Sequence, residues 1–538
     1  MSWLYALRQG RWGIAGFSAL AFVVTLLNTI GFYRIAGNSP AERAAFARSI
    51  TVLAGQFTVL LAPPFRADTV GGYVQFRVYG ALAILVAVWA VAAAAGTRGD
   101  EERGLLEAVL ATGVSRADAI ASRFLAFAVA GVVVAAAAAL GFVLGVDRTQ
   151  DAIDAFSVVG ASVLVAGIAL ACYSLALLVT QLVSARFAAA AAGIVLLALF
   201  LTNSLSRTID ALLTWRVLSP FYYYDRSQPL SPGGTFDVRA TEVLFAIAVV
   251  GAVAATLAFA FRDLGSPIAR LPVRAHPPVR DISHVPFWRA PIVRGLYDRR
   301  FGLVVWMAGF AALAALFVVL TKQIVQPLLA IAALRPYIDS VIKGDIYPSF
   351  LGILWFAFGQ LLIAGYAITQ VGRWSAEDGD GRLELVLSQP VSRRAVVLER
   401  ALVLGLGALA IAAAGAMGVA LEARSQAIVL DTGRLATASV LLVPFAGFFA
   451  AIGSLLAARV PRATVGLLGG FAFVTYFIDQ LAPVFKWPAW VEDLSPFHLY
   501  GRPLTSGVDG TGLAIMVAVV LVGFVASALL LERRDVGA

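Results

Sequence analysis

Side chains suited to catalysis or metal binding are scarce in this 538-residue chain, which has three histidines and one cysteine. His276 and His284 lie among prolines, without the cysteines or paired carboxylates that a metal site needs. His498 and the carboxylates near it show no spacing typical of a catalytic acid, base or nucleophile. The sequence therefore predicts no catalytic residue, no metal site and no enzyme.

Nucleotide binding through a phosphate-binding loop is excluded as well. That loop, G-x-x-x-x-G-K-[ST], needs a lysine directly after a glycine. The lysines of the chain are Lys322, Lys343 and Lys486, and none follows a glycine. We therefore expect no cofactor in this chain.

One polar segment of the chain occurs twice. Residues 104–116 read GLLEAVLATGVSR, and residues 381–393, which lie 277 positions later, read GRLELVLSQPVSR. Acidic clusters at 100–102 and 377–380 precede and frame the two copies. If the first copy is helical, its apolar side chains share a face about 140° wide and its glutamate points away. The predicted short helix of the first copy covers 105–111. The candidate contact residues of the two copies are Gly104, Leu105, Leu106, Glu107, Val109 and Leu110 in the first, and Gly381, Leu383, Glu384, Val386 and Leu387 in the second.

The residues after each short helix predict a turn and a new helix. Gly113 and Pro390 occupy equivalent positions, and each of them stops a helix. Ser115 and Ser392 follow, where a serine side chain caps the next helix, and Asp118 adds a capping box in the first copy only. Each copy thus predicts a short helix, a turn and a fresh helix start.

The elements that carry these loops are strongly apolar. Hydrophobic residues make up 60% of the chain, charged residues make up 14%, and the mean hydropathy is +0.86. A soluble core cannot bury that much apolar surface. Since a membrane-spanning helix needs roughly 20 apolar residues, the sequence predicts an all-α polytopic membrane protein with about 12 transmembrane helices. The predicted spans are 13–33, 80–97, 124–146, 157–183, 187–205, 243–261, 301–321, 351–371, 401–421, 436–458, 463–478 and 511–531.

Basic residues orient the predicted spans. With the N-terminus inside, the inner connections carry 24 of the 41 basic residues and none of the lysines. The positive-inside rule then places both termini in the cytoplasm. Anionic lipid headgroups account for the net charge of +9, so membrane lipid is the expected partner and nucleic acid is not. Interfacial helices are predicted at 2–12 and 292–301, where aromatic residues alternate with arginines.

A second repeat divides the chain into halves. LSPFYYYDR at 218–226 and LSPFHLYGR at 494–502 have nearly the same offset as the duplicated loop, and Ser-Pro favours a helix start in both. The sequence therefore predicts two parallel six-helix halves, residues 1–265 and 290–538. Residues 266–289, rich in proline and arginine, are the predicted cytoplasmic linker.

The duplicated loop also carries a family resemblance. Acidic residues that close a span, followed by G-x-L-E-x-V-L-x-x-x-V-S-R, resemble the permease subunits of ABC exporters of the second type. The twelve-span layout is similar to the fused-dimer form of these permeases, as in antibiotic and polyketide exporters. The resemblance implies that both copies are coupling helices that contact a cytoplasmic ATP-binding subunit. Because this chain has no phosphate-binding loop, ATP and Mg²⁺ are then expected on that separate subunit. The resemblance also implies two ATPase copies for each permease chain and a prokaryotic plasma (inner) membrane.

The same resemblance places predicted spans 5 and 11 near the central path of the permease. A path lined by aromatic groups with few polar contacts favours a hydrophobic or amphiphilic small molecule, such as a drug, an antibiotic or a lipid. The expected path residues are Phe200, Asn203, Phe471, Phe473, Tyr476 and Phe477, and the turns at Phe221 and Phe497 are expected on the exit side.

An ion-gradient-driven secondary transporter with twelve spans is the alternative function. Carriers of that class generally place ionisable side chains within the helix bundle. The predicted spans contain no Asp, Glu, His, Lys or Arg. A sodium site built from hydroxyls and carbonyls needs no such side chain, so the sequence leaves this alternative open.

Overall fold

The described part of the chain forms two compact units. The computed structural model describes residues 3–56, 62–149, 151, 154–207, 209–268, 290–330, 346–379 and 381–534. Contacts divide the chain into unit 1, Met1–Pro277, and unit 2, Pro278–Ala538. The predicted boundaries at 265 and 290 stay predictions, because most of the predicted linker, 269–289, lies outside the described residues.

Unit 1 is built from helices of two lengths. Long apolar helices form its core, and short helices connect them. A π-helical turn at Gln75–Tyr79 interrupts the third helix without ending it. The helices are α1 (Trp3–Ala36), α2 (Pro40–Gln56), α3 (Val70–Glu102), α4 (Leu105–Leu110), α5 (Arg116–Val146), α6 (Ala155–Leu182), α7 (Ala185–Leu205), α8 (Pro220–Asp225) and α9 (Val238–Phe261).

Unit 2 has the same kinds of element in a similar order. Its second LSPF segment starts a short helix at Pro496, as the first does at Pro220, which confirms the helix starts predicted from Ser-Pro. The helices are α10 (Pro291–Asp298), α11 (Arg300–Ala330), α12 (Ile346–Gly379), α13 (Arg382–Leu387), α14 (Arg393–Ser425), α15 (Thr432–Arg459), α16 (Thr464–Phe485), α17 (Ala489–Glu492), α18 (Pro496–Tyr500) and α19 (Gly510–Arg533).

The prediction of a polytopic helical membrane protein is confirmed in its general form. Within the described residues, eleven helices are long and apolar enough to cross a membrane, and no residue lies in a β-strand. A twelfth predicted span, 463–478, corresponds to α16, which has 22 residues. The count of twelve, the parallel halves and the cytoplasmic termini stay predictions.

Several helices are longer than the spans predicted from hydropathy. The interfacial helix predicted at 2–12 has no boundary of its own, because α1 continues unbroken from Trp3 to Ala36. In unit 2 the counterpart is a separate helix, which ends at Asp298 before α11 begins. Polar residues at a helix end can continue the same backbone hydrogen-bond ladder, so hydropathy alone underestimates helix length.

Glycine lets the first long helix of each unit approach a neighbour closely. A Cβ atom added at Gly141 would lie 2.4 Å from the Phe22 carbonyl oxygen, so α5 meets the backbone of α1 there. A Cβ atom at Gly418 would lie 2.5 Å from the Ala311 carbonyl oxygen, where α14 meets α11. Small residues allow such approaches between membrane helices. The two contacts also give a structural equivalence, Phe22 with Ala311 and Gly141 with Gly418.

We expect Gly418→Val to destabilise the chain by about 1–3 kcal/mol, since the added side chain must push α14 off the α11 backbone. Gly405→Val is the matched control, because a Cβ atom at Gly405 in the same helix meets nothing within 4 Å. Thermal unfolding of both purified variants measures the effect. Equal melting temperatures for the two variants would contradict the close approach.

Candidate functional site

The first copy of the duplicated loop folds as a short helix with defined ends. Gly104, with φ of 70°, precedes α4 in the left-handed conformation, which a glycine adopts without strain. Gly113, with φ of 87°, lies in the turn after it. The Ser115 side chain then accepts a hydrogen bond from the Asp118 backbone N–H and caps α5. The predicted helix, turn and capped helix start are confirmed in this copy.

The second copy repeats this local structure. Gly381, with φ of 72°, precedes α13, and the helix ends at Leu387 before Pro390. The Ser392 side chain accepts a hydrogen bond from the Ala395 backbone N–H at the start of α14. We call α4 and α13 the loop helices.

Each loop helix is anchored by one leucine. Leu106 is fully buried in unit 1, and Leu383 is 2% exposed in unit 2. Val109 and Leu110 are half-buried, whereas Leu105 is 49% exposed. The apolar face predicted as one stripe is therefore divided, with Leu106 packed against its own unit and Leu105 facing outward.

The outward side of both loop helices combines apolar and acidic groups. Glu107 and Glu384 are exposed. In α13, Leu385 is 71% exposed and Val386 is 46% exposed, while Leu387 is half-buried. An exposed apolar side chain beside a carboxylate on a short, anchored helix provides a rigid surface for a protein partner.

A buried ion network lies behind α4. The Glu101 carboxylate accepts hydrogen bonds from Arg98 at 2.6 Å and from the Gly265 backbone N–H at 2.6 Å. Arg262, which directly follows α9, forms a bidentate ion pair with the same carboxylate. The side chains of Arg262 and Glu101 are each 2% exposed. The network therefore fastens the end of α9 to the end of α3.

The acidic cluster 100–102 is for the most part engaged within unit 1. Asp100 accepts hydrogen bonds from Arg103 at 2.6 Å and from Arg123 at 2.7 Å. Asp100 and Glu101 are both buried, and Glu102 is exposed. Asp100 thus holds α3 to α5, and Glu101 holds α3 to the residues after α9, so Glu102 is the exposed member of the cluster that was expected to frame α4.

Unit 2 has a similar arrangement at its own loop helix. Arg400 of α14 pairs with Glu377 at 2.6 Å, as Arg123 does with Asp100. Arg534, which follows α19, pairs with Asp378 at 2.7 Å, as Arg262 does with Glu101.

Sequence reasoning missed Arg262 and Arg534 as parts of the two sites. A signal was present, because each half ends its last apolar span with an arginine, in FRD at 261–263 and ERR at 532–534.

A second pair of arginines, one in each unit, binds the end of the last long helix. Arg116 donates to the carbonyls of Ala260 and Arg262 at the end of α9. Arg393 donates to the carbonyls of Leu531 and Arg534 at the end of α19. A guanidinium is well suited to satisfy the last carbonyls of a helix, which lack partners within the helix. In each unit, then, the first residue of the helix that follows the loop helix is hydrogen-bonded to the end of the last long helix.

The residues of unit 1 that were predicted to line the cargo path lie in two environments. Phe200 and Phe221 meet edge to face with ring centroids 5.3 Å apart, and both line a cavity that also contains Arg207. Asn203 is 4% exposed and donates to Asp225 at 2.7 Å, so it orients that carboxylate. Burial raises the pKa of Asp225, although hydrogen bonds from Arg207 and Asn203 oppose the shift. The structure thus brings Phe200 together with the predicted exit-side residue Phe221.

The aromatic residues predicted in unit 2 pack mainly against one another. Phe497 is 3% exposed, and its ring centroid lies 5.4 Å from that of Tyr476. Phe471 packs against the core of the unit, and the Phe473 and Phe477 rings are 4.5 Å apart. Here too a predicted path residue, Tyr476, contacts the predicted exit-side residue, Phe497.

Comparison with protein families matches residues 44–260 and 296–531 to Multidrug efflux system permease Rv1217c, C-terminal domain. The chain belongs to this family. It is thus a multi-pass membrane permease of the multidrug efflux kind, a transport protein rather than an enzyme, as the sequence predicted in general terms. No match was found among curated proteins. The two matched stretches leave out residues 261–295, which include the predicted linker.

Proposed function

We propose that this efflux permease is the membrane subunit of an ATP-driven ABC exporter of the second type, in its fused-dimer form. A separate cytoplasmic ATPase docks on the two loop helices, which act as coupling helices. The observation that carries the proposal is the repeated local structure of α4 and α13, each begun by a left-handed glycine and followed by a serine cap. The ATPase binds ATP and Mg²⁺, and one permease chain takes two ATPase copies.

The contacts behind the loop helices allow a force applied by the ATPase to reach the long helices. Residues 104–113 connect α3 to α5, and Arg116 and Arg262 tie both helices to the end of α9. A force on Glu107 or Leu105 therefore reaches three long helices of unit 1 at once. The ion pairs of Arg400 and Arg534, with the carbonyl contacts of Arg393, provide the same linkage behind α13.

The cargo of this exporter is a hydrophobic or amphiphilic small molecule, such as a drug, an antibiotic or a lipid. Contact of Phe200 with Phe221 and of Tyr476 with Phe497 supports a continuous aromatic lining in each unit. The protein acts in a prokaryotic plasma membrane with both termini in the cytoplasm. The proposed path residues are Phe200, Asn203, Phe471, Phe473, Tyr476 and Phe477, with Phe221 and Phe497 on the exit side.

ATP hydrolysis that co-purifies with the chain tests this proposal. We expect the chain, isolated gently from its native membrane, to retain an ATPase subunit and to hydrolyse ATP in the presence of Mg²⁺. An intact chain that carries no partner and no hydrolysis would overturn the ABC mechanism. Cargo uptake driven by a sodium or proton gradient in the same preparation, reconstituted in vesicles, would then establish the secondary transporter.

A further inference from the structure

A cavity of about 300 Å³ opens in unit 1 on the side of α4. It lies between the first turns of α1 and the helices α3, α5 and α6, and its size is at the lower end for small-molecule sites. Its walls are apolar toward the interior of the unit and charged near the ends of α3 and α5. The residues that give it chemical character are Trp89, Phe127, Tyr173, Asp100, Arg103 and Arg123.

The inner wall of the cavity is aromatic. The Phe127 and Tyr173 rings stack with centroids 4.1 Å apart and an interplanar angle of 8°. Trp89 packs on Phe127 at 4.6 Å. Aromatic side chains present large apolar surfaces in fixed positions, which suits an apolar ligand body.

The mouth of the cavity carries a net positive charge. Two arginines share one carboxylate there, because Arg103 and Arg123 both pair with Asp100. The Arg103 side chain is 57% exposed, and that of Arg123 is 12% exposed. The two guanidinium groups outnumber the single carboxylate, and this favours an anionic ligand group, which a guanidinium binds through charge-assisted hydrogen bonds.

Unit 2 places larger side chains at the equivalent positions. The pairing of Phe22 with Ala311 sets an offset of 289 for the first helix, so Gly10 corresponds to Arg299. The duplicated loop sets an offset of 277, so Gly96 and Thr97 correspond to Arg373 and Trp374. Gly10, Gly96 and Thr97 all line the cavity of unit 1.

These larger side chains change the surroundings of Arg400, the arginine of unit 2 that corresponds to Arg123. Trp374 is 1% exposed, and the guanidinium of Arg400, the counterpart of Arg123, lies 5.8 Å from its ring centroid. The Arg373 guanidinium reaches to 3.7 Å from the Cβ position at Gly302 of α11. In unit 1 the corresponding positions hold the small residues Gly10, Gly96 and Thr97, which line the open cavity beside Arg123. Among the described residues, unit 2 therefore has an arginine and a tryptophan at positions that line the cavity in unit 1.

We propose that this cavity binds an anionic amphiphile, with a carboxylate or phosphate at Arg103 and Arg123 and an apolar body against Trp89 and Phe127. The proposal rests on the proposed export function and narrows its cargo to amphiphiles with one anionic group. Such a molecule reaches the cavity of unit 1 through its mouth near α4.

Binding of a brominated fatty acid tests the proposal in the full-length chain. Dibromostearate quenches the fluorescence of a nearby tryptophan, and Trp89 lies in the cavity wall. In nanodiscs of phosphatidylcholine, we expect saturable quenching that Trp89→Phe reduces. The methyl ester of the probe, which lacks the anion, is expected to bind at least tenfold more weakly. Equal affinity for acid and ester would overturn the assignment of an anionic group.

A variant that fills the cavity gives the decisive test. A Cβ atom at Gly96 meets nothing within 4 Å, and the same is true of Gly99, which does not line the cavity. We expect Gly96→Phe to weaken probe binding at least tenfold and Gly99→Phe to leave it unchanged. Arg103→Gln, at an exposed position, is expected to weaken binding several-fold without loss of folding. Wild-type affinity in both Gly96→Phe and Arg103→Gln would refute the site.

The source of the amphiphile is distinguished by lipid composition. Addition of phosphatidylglycerol to the nanodiscs displaces the probe if the cavity takes a membrane lipid headgroup, and leaves it bound if the cavity takes free amphiphiles; both outcomes support an anionic site. These measurements need no ATPase. Intact probe binding in a preparation without hydrolysis would therefore reject the ABC mechanism and leave the cavity assignment standing.

Discussion

ATP hydrolysis by the purified complex is expected to fall at least tenfold when Glu107→Arg and Glu384→Arg are combined. Both carboxylates are exposed on loop helices whose backbones are anchored by Leu106 and Leu383. Charge reversal therefore alters the proposed docking surface without disturbing the packing behind it. A partner surface that is complementary to the two glutamates is positively charged, so each new arginine places a like charge against it. Such a juxtaposition costs several kcal/mol, which is more than a tenfold loss requires. Phosphate release in detergent, with the amount of bound ATPase measured on a gel, gives the result.

Glu242→Arg is the matched control for this double variant. Glu242 is exposed near the start of α9, whereas Arg262 and the loop helix lie at the opposite end of that helix. The control should hydrolyse ATP at the wild-type rate. The single variants Glu107→Arg and Glu384→Arg show whether the two loop helices contribute equally. Unchanged hydrolysis and unchanged ATPase binding in the double variant would remove the loop helices from the coupling mechanism.

Arg262→Met is expected to destabilise unit 1 by about 1.5–3 kcal/mol, because Glu101 loses the hydrogen bonds of its bidentate partner and keeps only Arg98 and the Gly265 backbone N–H. Glu101 and Arg262 are each 2% exposed, so water cannot replace the lost guanidinium. Thermal unfolding monitored by circular dichroism measures the loss. The double variant Glu101→Gln with Arg262→Met should not recover the loss, because the buried Arg98 then lacks its carboxylate partner.

Arg103→Met provides the comparison for that prediction. Its ion pair with Asp100 is formed by a side chain that is 57% exposed, and such pairs contribute about 0–1 kcal/mol. The Arg262 variant should therefore unfold at a clearly lower temperature than the Arg103 variant. Similar melting temperatures for the two would show that the buried network does not hold α9 to α3.

Local sequence signals predicted local structure well. The end of α4 before Gly113 and the caps at Ser115 and Ser392 depend on residues within one or two helical turns. The helical membrane character followed from composition, and the motif at 104–116 indicated a permease. Each of these features is set by neighbours along the chain, which a sequence displays directly.

The division of the loop-helix face could not be read from the same signals. Leu105 and Leu106 are adjacent apolar residues, and periodicity assigned both to one stripe. Only the packing of α4 against unit 1 buries Leu106 and leaves Leu105 at 49% exposure. Likewise, the sequence placed Asn203 among the expected path residues but did not reveal that its amide donates to Asp225.

The sequence by itself determined that this protein is a helical membrane permease with a repeated loop and where each loop helix begins and ends. The tertiary structure decided that Arg262 pairs with Glu101, 161 positions earlier in the chain, and that Gly10 and Gly96 meet around one cavity. The physical reason is that helix formation and capping depend on groups a few residues apart. Ion pairing and cavity shape depend instead on which helices pack together, and side chains far apart in sequence become neighbours only then.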